Sequence, residues 1–286
     1  AILPLIESIF HYTSDIKLLE LSDPNHPLLS QLALKAPGTY HHSMMVGHLA
    51  EKAAEAVGGN SLLCRVASYY HDIGKLKKPE YFIENQMDAV NRHDSLSPSM
   101  SSLIISSHVK EGADLARDHR IVPKIIDIIR EHHGTHLMVY FYNKAKQQEN
   151  TSIEAVNENG FRYTGPRPAT KESAIILLAD SVEAASRTLT DPTHSRLKGL
   201  VKMIIEEKIV DGQLDNSHLS FNDIHLISES FLRVLPGFFH SRIEYPKTER
   251  AKGENGYPDS KSSKESETKF GENRKKDPKD IRSIRA

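Results

Sequence analysis

The sequence predicts an all-α protein, and three observations lead to this fold class. Apolar residues recur at helical spacing through most of the first 240 residues. Glycine, proline and capping residues interrupt the pattern at points that suit separate helices. Only one short segment departs from it. We therefore expect a helical bundle around one apolar core.

Nine segments carry the helical pattern. They are residues 3–9, 16–21, 44–57, 62–70, 103–115, 121–129, 175–189, 200–209 and 224–234. Residues 58–60 (Gly-Gly-Asn) can end the third helix and start the fourth, and residues 191–193 (Asp-Pro-Thr) break the chain after the seventh. Asn222 and Asp223 can cap the ninth.

The departing segment is "TSIEAVNENGFRYTGPRP" at residues 151–168. It has β-branched and aromatic residues on both sides of Asn159 and Gly160, the commonest signal of a tight hairpin turn. A small β-hairpin insertion is therefore predicted near residues 151–164.

The 286 residues, with 38% apolar content, are enough for one large domain, which we assign to residues 1–245. From residue 246 onward the apolar residues nearly vanish into a mixed-charge tract rich in Ser, Gly, Lys and Glu. Such a tract cannot bury enough surface to fold alone. Residues 246–286 are therefore expected to form a disordered tail.

Charge and cysteine content exclude several classes of protein. The net charge of −1 gives no global field that would attract a nucleic-acid polymer. The single cysteine, Cys64, allows neither a disulfide framework nor a thiolate cluster, so we expect a reducing, intracellular setting. The start "AILPLIESIF" has no initiator methionine and no basic region, which argues against a signal peptide and suggests a fragment of a longer protein.

Polar residues attached to apolar helices carry the functional signal. The stretch "ASYYHDIGKL" places His71 directly before Asp72 at the end of a helical run, which alone suits either a metal site or a solvated helix end. Comparable positions recur along the chain, and they favour the metal site: His41, His42, His108, His132, His133 and Asp180.

Asp180 is informative because it follows six apolar or small residues, 174–179. An unpaired carboxylate buried there would cost several kcal/mol, so a cationic partner is expected. Histidine and carboxylate ligands without cysteine suit iron, manganese or a catalytic zinc better than a closed structural zinc site. One aspartate can also bridge two ions.

The ordered series of histidines and aspartates resembles the HD superfamily of metal-dependent phosphohydrolases, in its two-metal form. More narrowly, four segments are similar to the cytoplasmic HD domain of PgpH-type cyclic di-AMP phosphodiesterases, of the seven-transmembrane-receptor HD family. They are "YHHSMMVGHLAEKAAEAVGGN", "YYHDIGKLKKPEYFIENQ", "EHHGTHLMVYFY" and "LLADSVEAASRTL". The likeness covers roughly residues 1–240.

The resemblance implies seven metal ligands, with Asp72 shared between two ions. One ion would be held by His42, His71, Asp72 and Asp180, and the other by Asp72, His108, His132 and His133. His41 points about 100° away from its neighbour on a helix, so it is left outside the set.

Two differences from HD-GYP relatives narrow the expected number of metal ions and the expected substrate. Gly38 stands where three-metal relatives have a further glutamate ligand, so two ions are favoured. The paired histidines are not followed by Gly-Tyr-Pro, and the triplet at residues 256–258 lies in the polar tail. Cyclic di-GMP is therefore the less suitable substrate.

Three residues are predicted to contact substrate, each with an alternative. Lys75, one turn beyond His71, is expected to bind a phosphate oxygen and to act in catalysis with Asp72, unless it is a solvated surface lysine. Arg187 either faces the same cleft or pairs with Glu183. Tyr140 either stacks on adenine or packs on the core.

The expected function is hydrolysis of cyclic di-AMP to linear 5′-pApA by a water that two divalent transition-metal ions, iron or manganese, activate. The alternatives are an HD phosphohydrolase for another cyclic dinucleotide or nucleotide, and a non-catalytic nucleotide-sensing module. The complete ligand set argues against the sensor. The resemblance also implies the cytoplasmic domain of a bacterial membrane protein, anchored by a transmembrane region outside this sequence. No oligomeric state is predicted.

Overall fold

A computed structural model describes residues 13–86, 91–148 and 156–239. Within these ranges the regular structure is helical, which confirms the all-α class. The α-helices are α1 (Asp15–Leu21), α2 (Pro27–Lys35), α3 (Pro37–Ala56), α4 (Ser61–Tyr70), α5 (Pro98–Asp118), α6 (Pro123–Glu131), α7 (Val139–Gln148), α8 (Lys171–Ser186), α9 (His194–Val210) and α10 (Phe221–Val234). The predicted helix at 3–9 and the predicted tail at 246–286 lie outside the described residues.

Capping residues set the helix starts. The Asn60 side chain accepts a hydrogen bond from the Leu63 N–H at 2.8 Å, which confirms the predicted start of a helix there. Thr193, in the predicted break, caps α9 in the same way. At α10 the cap is Ser220, which forms a capping box with Asp223. Proline occupies the first position of α2, α3, α5 and α6, where its missing N–H costs nothing.

The core is built around α3 and α8. α3 packs against α4, α8 and α10, and α8 also packs against α9. Residues 174–179 of α8 are at most 1% exposed, as expected for a helix that is apolar on all sides. This burial places Asp180 inside the bundle.

A backbone contact joins α5 to the 3₁₀ turn Ile73–Lys77 that follows α4. A Cβ atom on Gly74 would lie 1.9 Å from the carbonyl oxygen of His108. Glycine is therefore required for this approach, which brings the end of α4 next to the middle of α5.

The predicted β-hairpin near residues 151–164 is wrong for residues 156–164, the part that the structure describes. Residues Glu158–Phe161 form a 3₁₀ turn, and the Asn157 side chain caps it by accepting the N–H of Asn159 at 3.1 Å. This side-chain hydrogen bond favours a helical turn over strand pairing.

Packing also holds this segment in place. Phe161 is buried in a small cluster with Met138 and Phe141 of the α7 region. Across the described ranges, the β-type pairing is an isolated antiparallel bridge between Leu137 and Arg162. The segment is thus held by burial of the Phe161 ring rather than by pairing with a second strand.

Two helices were not predicted from the sequence, α2 and α7. α7 contains Tyr140, which the sequence analysis considered only as a contact for adenine or for the core. Over the three described ranges, no helix has both the length and the apolar character that a bilayer crossing requires.

Candidate metal centre

Seven side chains converge between α3, α5, α8 and the ends of α4 and α6. They are the seven predicted ligands: His42, His71, Asp72, His108, His132, His133 and Asp180. Six of them are buried, and the His133 side chain is 22% exposed. The residues lie far apart in the sequence, so tertiary packing creates the cluster.

Asp72 lies at the centre of the cluster. Its Oδ1 atom is 3.3 Å from His108 Nε2 and 3.7 Å from His132 Nε2. Its Oδ2 atom is 3.2 Å from His71 Nε2 and 3.6 Å from His42 Nε2. Each carboxylate oxygen therefore faces a different pair of imidazoles, which is the arrangement a bridging carboxylate needs.

The donor atoms form two groups that could each hold an ion. One consists of His42, His71 and Asp72, and the other of Asp72, His108, His132 and His133. Asp180 borders both groups, because its Oδ1 is 3.0 Å from His42 Nε2 and its Oδ2 is 3.6 Å from His133 Nδ1.

Unsatisfied buried atoms show that this donor set fits a divalent metal ion. Within the described residues, His71 Nε2 and Asp72 Oδ1 are buried and have no hydrogen-bond partner. Such groups cost free energy unless a ligand satisfies them. Nitrogen and oxygen donors without sulfur suit a divalent transition metal.

Three of the histidines are oriented by their own helices. Each donates its Nδ1–H to the carbonyl oxygen three residues earlier, at 2.6–2.7 Å: His71 to Ser68, His108 to Ile105 and His132 to Ile129. This contact directs Nε2 toward Asp72 and fixes the tautomer that a metal requires.

His42 is oriented by Glu183, whose role was not predicted. His42 Nδ1 lies 2.5 Å from Glu183 Oε2, and Glu183 is 3% exposed. Burial disfavours charge on His42, but hydrogen bonds to Asp180 and Glu183 outweigh it and raise the pKa to about 9. The three-residue spacing between Asp180 and Glu183 was the available signal, since it puts both carboxylates on one helical face.

His133 is held by the ring of Tyr163. The two rings stack with centroids 4.2 Å apart at 26°, and the edge of Tyr163 also meets His108. Tyr163 comes from the irregular segment before α8, so the sequence carried no signal for this contact.

The two aspartates are ionised. Burial alone would raise the pKa of Asp72, but the charges of Lys75 and His71 hold it well below its usual range. Burial would also raise the pKa of Asp180, but the hydrogen bond from His42 and the nearby His71 and His133 hold it well below its usual range. Both carboxylates are therefore available as ligands at neutral pH.

Lys75 is not a solvated surface lysine. Its Nζ atom is 2.8 Å from Asp72 Oδ2 and 2.8 Å from Glu84 Oε1, and its side chain is 12% exposed. Although burial disfavours its charge, these two carboxylates raise the pKa of Lys75 above the usual range. The ammonium is therefore fixed beside the cluster.

The 3₁₀ turn Ile83–Asn85 covers the start of α3 next to Lys75. Glu84 Oε1 accepts a hydrogen bond from Thr39 Oγ1 at 2.9 Å. A Cβ atom on Gly38 would lie 1.9 Å from the Glu84 carbonyl oxygen. The backbone of this turn therefore fills the space that a side chain at position 38 would need.

Arg187 and Tyr140 make the contacts that the sequence analysis gave as the alternatives to substrate binding. Arg187 Nε donates to Glu183 Oε1 at 2.7 Å. Tyr140 packs edge-on against Phe141, with ring centroids 5.2 Å apart, in the small cluster around α7. His41 is exposed, as expected for a residue outside the ligand set.

Comparisons with known proteins agree with the predicted family. The HD domain family model matches residues 39–185. The chain is 49% identical to the cyclic-di-AMP phosphodiesterase PgpH of Bacillus subtilis over 245 residues, and 46% identical to that of Listeria monocytogenes. Each alignment covers 86% of this chain and 34% of the relative, so the chain spans about a third of the length of these curated relatives.

A solved structure is also similar. It is the HD domain of L. monocytogenes phosphodiesterase PgpH in complex with cyclic di-AMP. It matches with a TM-score of 0.72 and 47% sequence identity, over 76% of this chain and all of that chain. The fold and the predicted family are therefore confirmed together.

Proposed function

Because this chain belongs to the HD domain family, we propose that it is a metal-dependent phosphodiesterase that hydrolyses cyclic di-AMP to linear 5′-pApA. One observation carries the proposal: Asp72 directs its two carboxylate oxygens at two different groups of histidines. The names of the two PgpH relatives support the choice of substrate.

The proposed cofactors are two divalent transition-metal ions, iron or manganese. His42, His71, Asp72 and Asp180 would hold one, and Asp72, His108, His132 and His133 the other. When bound, the ions supply an activated water and neutralise negative charge on the phosphoryl oxygens. The carbonyl contacts of the histidines keep the donor atoms in place for this role.

Lys75 is the proposed contact for the scissile phosphate. Its ammonium has three N–H donors, and Asp72 and Glu84 occupy two of them. The third can donate a charge-assisted hydrogen bond to a non-bridging phosphate oxygen. Tyr140 stays a proposed stacking partner for adenine, and Arg187 a proposed phosphate contact once it leaves Glu183.

We further propose that the chain is the cytoplasmic catalytic part of a membrane-anchored bacterial protein. The resemblance to the seven-transmembrane-receptor HD family supports this, and so does the greater length of the curated relatives.

The experiment loads the protein with iron or manganese and compares the hydrolysis rates of cyclic di-AMP, cyclic di-GMP and linear pApA. We expect cyclic di-AMP to be cut fastest, with pApA accumulating. Asp72→Ala should reduce turnover to background because both ions lose a ligand. Asp114→Ala, on the exposed face of α5, is the matched control.

Three results would contradict the proposal. Faster cleavage of cyclic di-GMP would overturn the substrate. Wild-type turnover by Asp72→Ala with metal still bound would overturn the shared-aspartate mechanism. Binding of cyclic di-AMP without any turnover by the metal-loaded wild type would favour a sensing module.

A further inference from the structure

Lys208 occupies a position in α9 that normally holds an apolar residue. The buried stripe of this helix runs through Leu197, Val201 and Ile204, and Lys208 continues it at helical spacing. The lysine is only 5% exposed, in a helix that packs against both α8 and α10.

The ammonium of Lys208 has no counter-charge in contact with it. In the described ranges, no carboxylate pairs with it and no acceptor takes a hydrogen bond from it; nearby Glu207, Asp180 and Asp211 act only at longer range. Burial is the main reason that the pKa of Lys208 falls to about 8, which leaves the group charged at neutral pH.

The acidic neighbours of Lys208 are committed elsewhere. Asp211 accepts a hydrogen bond from Arg162 at 3.0 Å. Asp180 faces the histidine cluster. The side chain of Glu207 is 48% exposed and lies 3.6 Å from His136. The other cations near the cluster are paired: the largely buried Lys75 with Asp72 and Glu84, and the more exposed Arg187 with Glu183.

Lys208 also lies near the metal centre, because Glu207, the residue before it, and Asp211, three residues after it, contact His136 at 3.6 and 3.5 Å. Its charge interacts with both Asp180 and His136. The carbonyl oxygen of His136 accepts the N–H of Tyr163 at 3.0 Å, and the Tyr163 ring stacks on His133. Lys75, in contrast, lies against Asp72 Oδ2.

A cyclic dinucleotide has two phosphodiester groups, and one reaction centre engages only one of them. We propose that Lys208 binds the second, non-scissile phosphate of the substrate, while Lys75 contacts the scissile one. This inference rests on the proposed function. It requires a charge-assisted hydrogen bond that exists only when the ligand carries a second phosphate.

The experiment compares cyclic di-AMP with bis(p-nitrophenyl) phosphate, a diester with a single phosphate, as substrates of the metal-loaded protein. Lys208→Met should raise the KM for cyclic di-AMP by about 10- to 100-fold, the usual effect of losing a charged hydrogen bond. KM and kcat for bis(p-nitrophenyl) phosphate should stay unchanged. Lys208→Arg should recover much of the loss.

A binding measurement gives a readout independent of turnover. Calorimetry with a hydrolysis-resistant phosphorothioate analogue of cyclic di-AMP should show weaker binding to Lys208→Met by a similar factor. Lys202→Met is the matched control, because its side chain lies on the exposed face of the same helix. Metal content and melting temperature should match the wild type, since methionine suits the buried stripe.

Two outcomes would overturn the inference. One is an equal loss on both substrates, which would mean that Lys208 supports the metal centre itself. The other is unchanged binding and KM in Lys208→Met. Failure of the proposed function looks different, because the wild type would then cut bis(p-nitrophenyl) phosphate but not cyclic di-AMP.

Discussion

Glu183 is the residue on which the position of His42 depends. It accepts from His42 Nδ1 with one carboxylate oxygen and from Arg187 with the other. The arginine thus fixes the carboxylate, and the carboxylate fixes the imidazole. Partners of this kind are usually worth 10- to 100-fold in metal affinity.

We therefore predict that Glu183→Gln weakens metal binding by about 10- to 100-fold, because the neutral amide holds the imidazole less strongly. Competition with a chelating dye measures the affinity. Glu206→Gln, at an exposed position of α9, is the control and should bind metal like the wild type. Equal affinities for the two variants would rule out this role for Glu183.

A second prediction at the residue scale concerns Tyr163 and the metal content of the protein. Its ring lies flat on His133, a predicted ligand with no carbonyl partner of the kind that orients His71. Tyr163→Leu should lower metal occupancy per chain, while Tyr163→Phe should retain it because the stacked ring remains. Elemental analysis of both purified variants tests this, and equal occupancy would contradict it.

Some residues of the candidate site could be predicted from the sequence and others could not. The ligand candidates were identifiable because each is a polar group at the end or in the middle of an apolar helix. Their partners were harder to identify. Glu183 had only its three-residue spacing from Asp180 as a signal, and Tyr163 in a loop had none until the fold brought it next to His133.

Helix contacts bring the predicted ligands together, and one of these contacts joins α5 to the Ile73–Lys77 turn. Asp72 and His108 are neighbours because Gly74 lets two backbones touch. A methyl group at this position has no room, and overpacking of this kind usually costs 1–3 kcal/mol.

We predict that Gly74→Ala lowers the free energy of unfolding by about 1–3 kcal/mol or more and abolishes hydrolysis, since Asp72 is pushed away from His108. Gly199→Ala in α9 is the control. An added Cβ there meets nothing within 4 Å, so the variant should gain about 0.5–1 kcal/mol. Urea denaturation measures both, and unchanged stability of Gly74→Ala would contradict the argument.

Helices could be predicted from the sequence where apolar residues repeat at helical spacing over several turns, as in α3, α5 and α8. The predicted hairpin failed because Asn159 and Gly160 are compatible with two kinds of turn. The choice between them depends on Phe161, which packs against α7, and α7 itself was not recognised. Local signals cannot decide a conformation that a distant contact selects.

At the scale of the whole molecule, the metal centre joins parts of the chain that are distant in sequence. Its donors come from α3, α5, α8 and the ends of α4 and α6. An unfolded chain cannot gather them, so metal binding stabilises the native state alone. With free metal at 100 times Kd, this adds about 2.7 kcal/mol.

Removal of metal should therefore lower the melting temperature by about 5–10 °C for a chain of this size. Differential scanning calorimetry before and after dialysis against a chelator measures the shift. Readdition of iron or manganese should reverse it in the wild type and not in Asp72→Ala. Identical melting curves with and without metal would show that metal binding does not stabilise the fold.

The turn Ile83–Asn85 limits how the number of metal ions proposed for this site could change. Its main chain lies where any side chain at position 38 would have to pass. A third ion therefore cannot be acquired through Gly38→Glu alone, because the turn would first have to move and release Lys75 and Thr39 from Glu84. In the proposed two-ion centre, it is this covering turn, rather than the ligand candidates themselves, that leaves no room for a third ion.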